Sequence, residues 1–81
     1  MKKNINVQYF ASFRDQAGKR QETLSVDCDT ALELYDHVSG LYGFHLKPQN
    51  LRVAVNESFS NLDRKIVDGD LVVFLPPVSG G

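Results

Sequence analysis

The chain has 81 residues, 42% apolar and 23% charged, with nine basic against ten acidic side chains and a net charge of −1. Such a length allows one small domain with a single core, since a fold of this size buries only about 60% of the surface its unfolded chain exposes. The composition excludes a disordered or collagen-like chain, and the near balance of charge excludes the basic footprint that binds nucleic acid or anionic lipid.

The start, Met1-Lys2-Lys3-Asn4-Ile5-Asn6, lacks the apolar stretch of a secretory signal, and no apolar run approaches the roughly 20 residues that span a bilayer. A cytoplasmic protein with no membrane partner is expected. Ile5, Val7 and Tyr9 then alternate with Asn4, Asn6 and Gln8, a period of two that predicts a strand over residues 4–10. Phe10 breaks the alternation and falls on the polar face, which makes it an exposed apolar residue. Residues 14–20 are polar, carry Gly18 and read as a connection to a second strand over 22–26, whose Leu24 and Val26 face inward and which pairs with the first in a hairpin-like manner.

Cys28 is the single cysteine, so an intrachain disulfide and a cysteine-based metal site are both excluded, and a structural role is expected for it. Asp29 and Thr30 are good N-caps, and Thr30 with Glu33 has the spacing of a capping box. Ala31, Leu34, Tyr35, Val38, Leu41 and Tyr42 follow at the spacing of one helical face, with Gly43 as a left-handed stop, which predicts a helix over about 30–42. His37 and His45 are not at metal-ligand spacing, and both read as surface residues; no metal site is expected.

Leu51, Val53 and Val55 lie on one face of a third strand, after which Asn56-Glu57-Ser58 supplies turn chemistry. Beyond the isolated apolar residues Phe59, Leu62 and Ile66, the tight turn Asp68-Gly69-Asp70 feeds Leu71-Val72-Val73-Phe74-Leu75, apolar on both faces and therefore internal to a sheet. Pro76 and Pro77 end it, having no N–H to donate to a ladder. Two strands, a helix, further strands and a last central strand predict an α+β, ubiquitin-like β-grasp: a mixed sheet with one main helix packed across it, over residues 1–75, and a flexible extended tail over 76–81. Among these residues no Gly-rich phosphate loop and no Ser/His/Asp constellation can be assembled.

The tail, Pro76-Pro77-Val78-Ser79-Gly80-Gly81, is the chemical feature. From Pro76 its six residues reach about 20 Å, and Gly80 and Gly81, lacking Cβ atoms, can enter a narrow channel and present a carboxylate to another protein's active site. A free carboxylate is a poor electrophile and needs activation with ATP before a sulfur nucleophile attacks. On the residues alone, 78–81 read equally as a frayed chain end.

Val53-Ala54-Val55-Asn56, Asp68-Gly69-Asp70-Leu71-Val72-Val73-Phe74-Leu75 and above all Pro76-Pro77-Val78-Ser79-Gly80-Gly81 resemble the small, sulfur-carrying subunit of molybdopterin synthase, within the ubiquitin-like sulfur carriers, over the whole domain. The proline pair is the specific part, since carriers for thiamine synthesis share the Gly-Gly end but usually lack it. The resemblance implies a non-catalytic subunit whose Gly81 is adenylated by a ubiquitin-activating-like adenylyltransferase that uses ATP, then converted to a thiocarboxylate with sulfur from a donor. It further implies transfer of that sulfur to a cyclic pterin phosphate in the large subunit, within a heterotetramer, and no tightly bound cofactor on the chain itself.

Phe10, Phe59 and Leu75 are out of place on a solvated face, and if clustered they would form an apolar docking patch; core contact is an equal reading for Phe59 and Leu75. The resemblance adds Arg14, and the tail residues Pro76, Pro77, Val78 and Ser79 inserted in the partner. Three other readings stay open: a carrier for thiamine or tRNA thiolation, a protein modifier that forms isopeptide bonds, and a binding module with an inert tail.

Overall fold

A computed structural model describes residues 2–76. Strand β1 (Lys3–Tyr9) forms where expected, with Ile5, Val7 and Tyr9 buried. It ends at Tyr9 and not at residue 10, because the Phe10 carbonyl accepts the Phe13 N–H at 3.1 Å and opens a helical turn.

That turn corrects the reading of 14–20 as a plain connection. Ser12–Ala17 is a short helix, α1, closed by Gly18 at φ 77°, so the irregular link to the next strand is only Gly18 to Arg20. One residue explains it: Phe13 is buried, tilted against Phe44 at 4.8 Å between ring centroids and edge-on to Tyr35 at 6.0 Å. Its aromatic area anchors a segment otherwise polar.

Strand β2 (Gln21–Val26) pairs antiparallel with β1, Ile5 opposite Leu24; Val26 is buried and Leu24 half-buried against the core. Helix α2 (Ala31–Tyr42) starts at the expected cap: Thr30 Oγ1 accepts the Glu33 N–H at 3.2 Å. Glu33 Oε1 accepts the Asp29 N–H at 2.6 Å, one residue earlier than in a capping box, and Thr30 instead bridges to Lys65. Ala31, Leu34, Tyr35 and Val38 are buried, and Gly43 stops the helix at φ 71°. Leu41, expected on that face, is 54% exposed, since it falls at the margin of the stripe in the last turn.

After a 3₁₀ turn (Pro48–Asn50), β3 (Arg52–Val55) and β4 (Ser58–Ser60) form a hairpin around Asn56 and Glu57. Both turn residues have positive φ, 52° and 72°, as a type I′ turn requires. β4 goes beyond the isolated apolar points read from the sequence: only Phe59 carries apolar weight in it, and pairing to β3 supplies the rest.

Strand β5 (Leu71–Leu75) runs parallel to β1 and antiparallel to β3, which gives the order β2-β1-β5-β3-β4 and makes β5 the centre of the sheet. Its entry is fixed by buried Asp70, whose carboxylate accepts from Asn56 Nδ2 at 2.9 Å and from the Val67 N–H at 2.8 Å, while Asn56 Oδ1 accepts the Leu71 N–H at 3.0 Å. A five-stranded mixed sheet with α2 packed across one face is the expected β-grasp, joined by the unforeseen α1.

Candidate functional site

The tail root is placed by one pair of strands. Tyr9 and Phe74 are register partners in the parallel β1–β5 pair, and both are buried on the helix side. Side chains alternate along a strand, so Leu75 turns to the outer face, half-buried, and Phe10 lies at the same end of the sheet, 48% exposed. Pro76 follows, half-buried, and ends the strand.

The outer face carries an apolar stripe. Gln8, Val73, Ala54 and Phe59 are successive register partners across β1, β5, β3 and β4. Leu71 and Val73 are half-buried there, Ala54 is nearly covered, and Phe59 stands 75% exposed. Phe10, Leu75 and Phe59 thus belong to one side of the sheet, with Phe10 and Phe59 at its two ends and Leu75 between them. Of the two readings left open, core contact is excluded for Phe59. Arg14 lines a concavity of about 340 Å³ with Tyr9, Phe10, Arg20 and Gln21. Phe59 borders another of about 620 Å³ with Arg52, Asn50 and Asn61.

Pro77, Val78, Ser79, Gly80 and Gly81 lie outside the described residues. Cys28 is half-buried against the core; burial, reinforced by the charge of Glu33, pushes its thiol up, so it is protonated and poorly nucleophilic at neutral pH. His37 and His45 are exposed. Among the described residues no group of three or more His, Cys, Asp or Glu side chains could hold a metal ion, and no helix is long and apolar enough to cross a membrane.

Two features escaped sequence reasoning. Val73 and Leu71 extend the outer stripe, a role visible in the apolar run of β5 on both its faces. Glu22, at a strand position that should face the core, is accepted there because its carboxylate takes hydrogen bonds from Tyr9 (2.6 Å) and Tyr42 and an ion pair from Lys19 at 3.3 Å. No local pattern announces that cluster.

Residues 7–81 match the model of the ThiS family. The molybdopterin synthase sulfur carrier subunit of Drosophila melanogaster is 38% identical, covering 96% of this chain and 91% of its own. That of Escherichia coli (strain K12) is 34% identical, covering 95% and 99%. Among solved structures, SAMP1 from Haloferax volcanii superposes with a TM-score of 0.76 at 26% identity, covering 96% of this chain and 99% of that chain. Subunit 1 or 2 in the protein–protein complex of the molybdopterin-converting factor from Helicobacter pylori 26695 superposes with a TM-score of 0.62 at 24% identity, covering 96% and 99%.

Proposed function

The chain belongs to the ThiS family, and from that premise we propose that it is the sulfur-carrier subunit of a molybdopterin synthase, acting in molybdenum cofactor biosynthesis in the cytoplasm. It pairs with a large subunit, as subunits 1 and 2 of the Helicobacter pylori converting factor form a complex; the assembly proposed for this chain is a heterotetramer. The observation that carries the reading is the end of β5: the central, most constrained strand of the sheet runs out at Leu75 and hands Pro76 directly to Pro77-Val78-Ser79-Gly80-Gly81. A rigid support that delivers a glycine terminus past two prolines suits a carboxylate offered to another protein's active site.

The chemistry is supplied by partners. An adenylyltransferase joins the Gly81 carboxylate to AMP from ATP with release of pyrophosphate, and a sulfur donor attacks the acyl adenylate and expels AMP, leaving a thiocarboxylate. In the large subunit that sulfur passes to the cyclic pterin precursor, and water restores the carboxylate. The carrier contributes the acyl group and the docking face, with Phe10, Arg14, Leu75 and Phe59 on the body and Pro76, Pro77, Val78, Ser79 and Gly80 along the tail, and no catalytic group of its own. Cofactor need is confined to the ATP of the activating enzyme.

The test is the intact mass of the chain after incubation with its cognate adenylyltransferase, ATP and a sulfur donor, localised by fragmentation. A gain equal to the exchange of one oxygen for sulfur, confined to Gly81, is expected. Localisation matters because oxidation of Met1 or Cys28 adds nearly the same mass. An unmodified tail, with the enzyme active on a control carrier, would overturn the proposal.

A further inference from the structure

Three guanidinium groups stand around the tail root without a partner among the described residues. Arg52 is the register partner of Leu75 on β3, and its side chain is exposed. On the other flank of β5, the Arg20 carbonyl accepts the Tyr9 N–H at 2.8 Å, which puts Arg20 in the row that runs through Tyr9 to Phe74. Arg14, on α1, lines the same concavity as Arg20 and Phe10. Among the described residues, none of the three side chains makes an ion pair or a hydrogen bond.

The contrast with the other end of the sheet is the second observation. Asp27 and Asp29, between β2 and α2, and Asp68 and Asp70, in the turn before β5, lie at the end away from the tail, where Lys3 already pairs with Asp29 at 3.4 Å. At the tail end stand Asp15, on α1, and Glu22, which is already committed to Lys19 and two tyrosines, against Arg14, Lys19, Arg20 and Arg52. The end from which the tail leaves therefore carries more cationic than free acidic side chains, although the chain as a whole has a net charge of −1. Guanidinium groups pair best with carboxylates, whose two oxygens match their fork of donors.

We propose that Arg20 and Arg52, one on each side of β5, act with Arg14 as a cationic collar that docks on Asp and Glu carboxylates at the mouth of the large subunit's tail channel, an assignment that rests on the carrier reading above. Phe10 shares a concavity with Arg14 and Arg20, and Leu75 is the cross-strand partner of Arg52, so apolar residues adjoin charged ones as they do in the common anatomy of a protein interface. Rim charges of this kind govern encounter more than residence: they steer the tail toward its channel, and their effect fades as salt screens them.

The experiment measures association and dissociation rates of the full chain with the cognate large subunit across a salt series, for the native protein, for Arg20→Glu/Arg52→Glu, and for Lys2→Glu/Lys65→Glu. The control pair carries the same change in net charge at the opposite end of the sheet. The collar variant should associate at least roughly tenfold more slowly at low salt, with a flattened salt dependence and an unchanged melting temperature, while the control stays near native. Native rates for the collar variant, or equal slowing in both variants, would overturn the collar. If a reversed collar variant fails to melt as the native chain does, Arg20→Gln/Arg52→Gln is measured in its place against the same two outcomes. Sulfur loading of the native chain at Gly81 is followed in parallel: if it fails, the carrier reading falls, whereas loading with an indifferent collar removes the collar alone.

Discussion

The Tyr9 hydroxyl donates a 2.6 Å hydrogen bond to Glu22 Oε2, and that oxygen also accepts from Tyr42, so one carboxylate ties β1 and β2 to the end of α2. Burial pushes the Glu22 carboxyl up, but the hydrogen bonds from Tyr42, Tyr9 and Lys19 outweigh it and hold the group below its ordinary 4.5. A carboxyl depressed by folding contributes stability that is complete above its unfolded value and is lost as pH falls through the folded one.

Unfolding followed by denaturant at a series of pH values should therefore show a fall in stability that begins near the ordinary glutamate range and continues below it. In Glu22→Gln that part of the acid limb flattens. Glu22→Ala leaves the buried Tyr9 hydroxyl without its acceptor and should cost about 1–3 kcal/mol at neutral pH. An unchanged acid limb in Glu22→Gln would show that the carboxyl is not depressed by the fold.

Phe13 is the reason α1 exists. Truncating it to alanine removes its contacts with Phe44 and Tyr35 and should destabilise the domain by about 3–5 kcal/mol, read as a lower urea midpoint. Amide exchange across Ser12–Ala17 should rise toward that of an open loop. A loss below about 1 kcal/mol would mean that α1 stands without its anchor.

Why α1 was hidden in the sequence while α2 was plain follows from the same physics. α2 has an N-cap, a repeating apolar face and a glycine stop, three local signals that agree, whereas α1 has one large apolar side chain in six residues and no periodicity to detect. β4 is hidden for a similar reason: Ser58-Phe59-Ser60 becomes a strand through its pairing with β3. The outer face was half legible. Phe10 betrays itself by breaking the alternation of β1, and β5 by being apolar on both sides, but that Arg52 stands beside Leu75 depends on a register between residues 23 apart in the chain, which no local pattern encodes.

The β3–β4 turn holds a removable strain. Glu57 sits at φ 72°, where a side chain costs roughly 1–2 kcal/mol and glycine does not, and an Asn-Gly pair is the favoured occupant of such a turn. After the entropic cost of glycine, Glu57→Gly should stabilise the domain by about 0.5–1 kcal/mol in urea unfolding. Asn56 tolerates no such change: its side chain serves both Asp70 and the Leu71 N–H, so Asn56→Ala should destabilise by about 1–3 kcal/mol. A lower midpoint for Glu57→Gly would argue that residue 57 is relaxed in solution.

Docking and sulfur loading separate cleanly on this fold, because the buried cluster ends at Phe74, inside β5, while Phe59 is 75% exposed on the outer face. Deleting Gly81 should leave the melting temperature within a degree or so, abolish the mass gain and preserve much of the affinity for the large subunit. Phe59→Ser should likewise change stability by no more than about 0.5 kcal/mol, since an exposed side chain loses little on truncation, yet weaken large-subunit binding roughly tenfold or more if it fills a pocket in the partner. Calorimetric titration of the two variants against the large subunit, each checked first by thermal melting, distinguishes the roles. Native affinity for Phe59→Ser would move the docking face away from β4 and toward Phe10 and Leu75, and a destabilised Gly81 deletion would make the last residue part of the folded body instead of its working end.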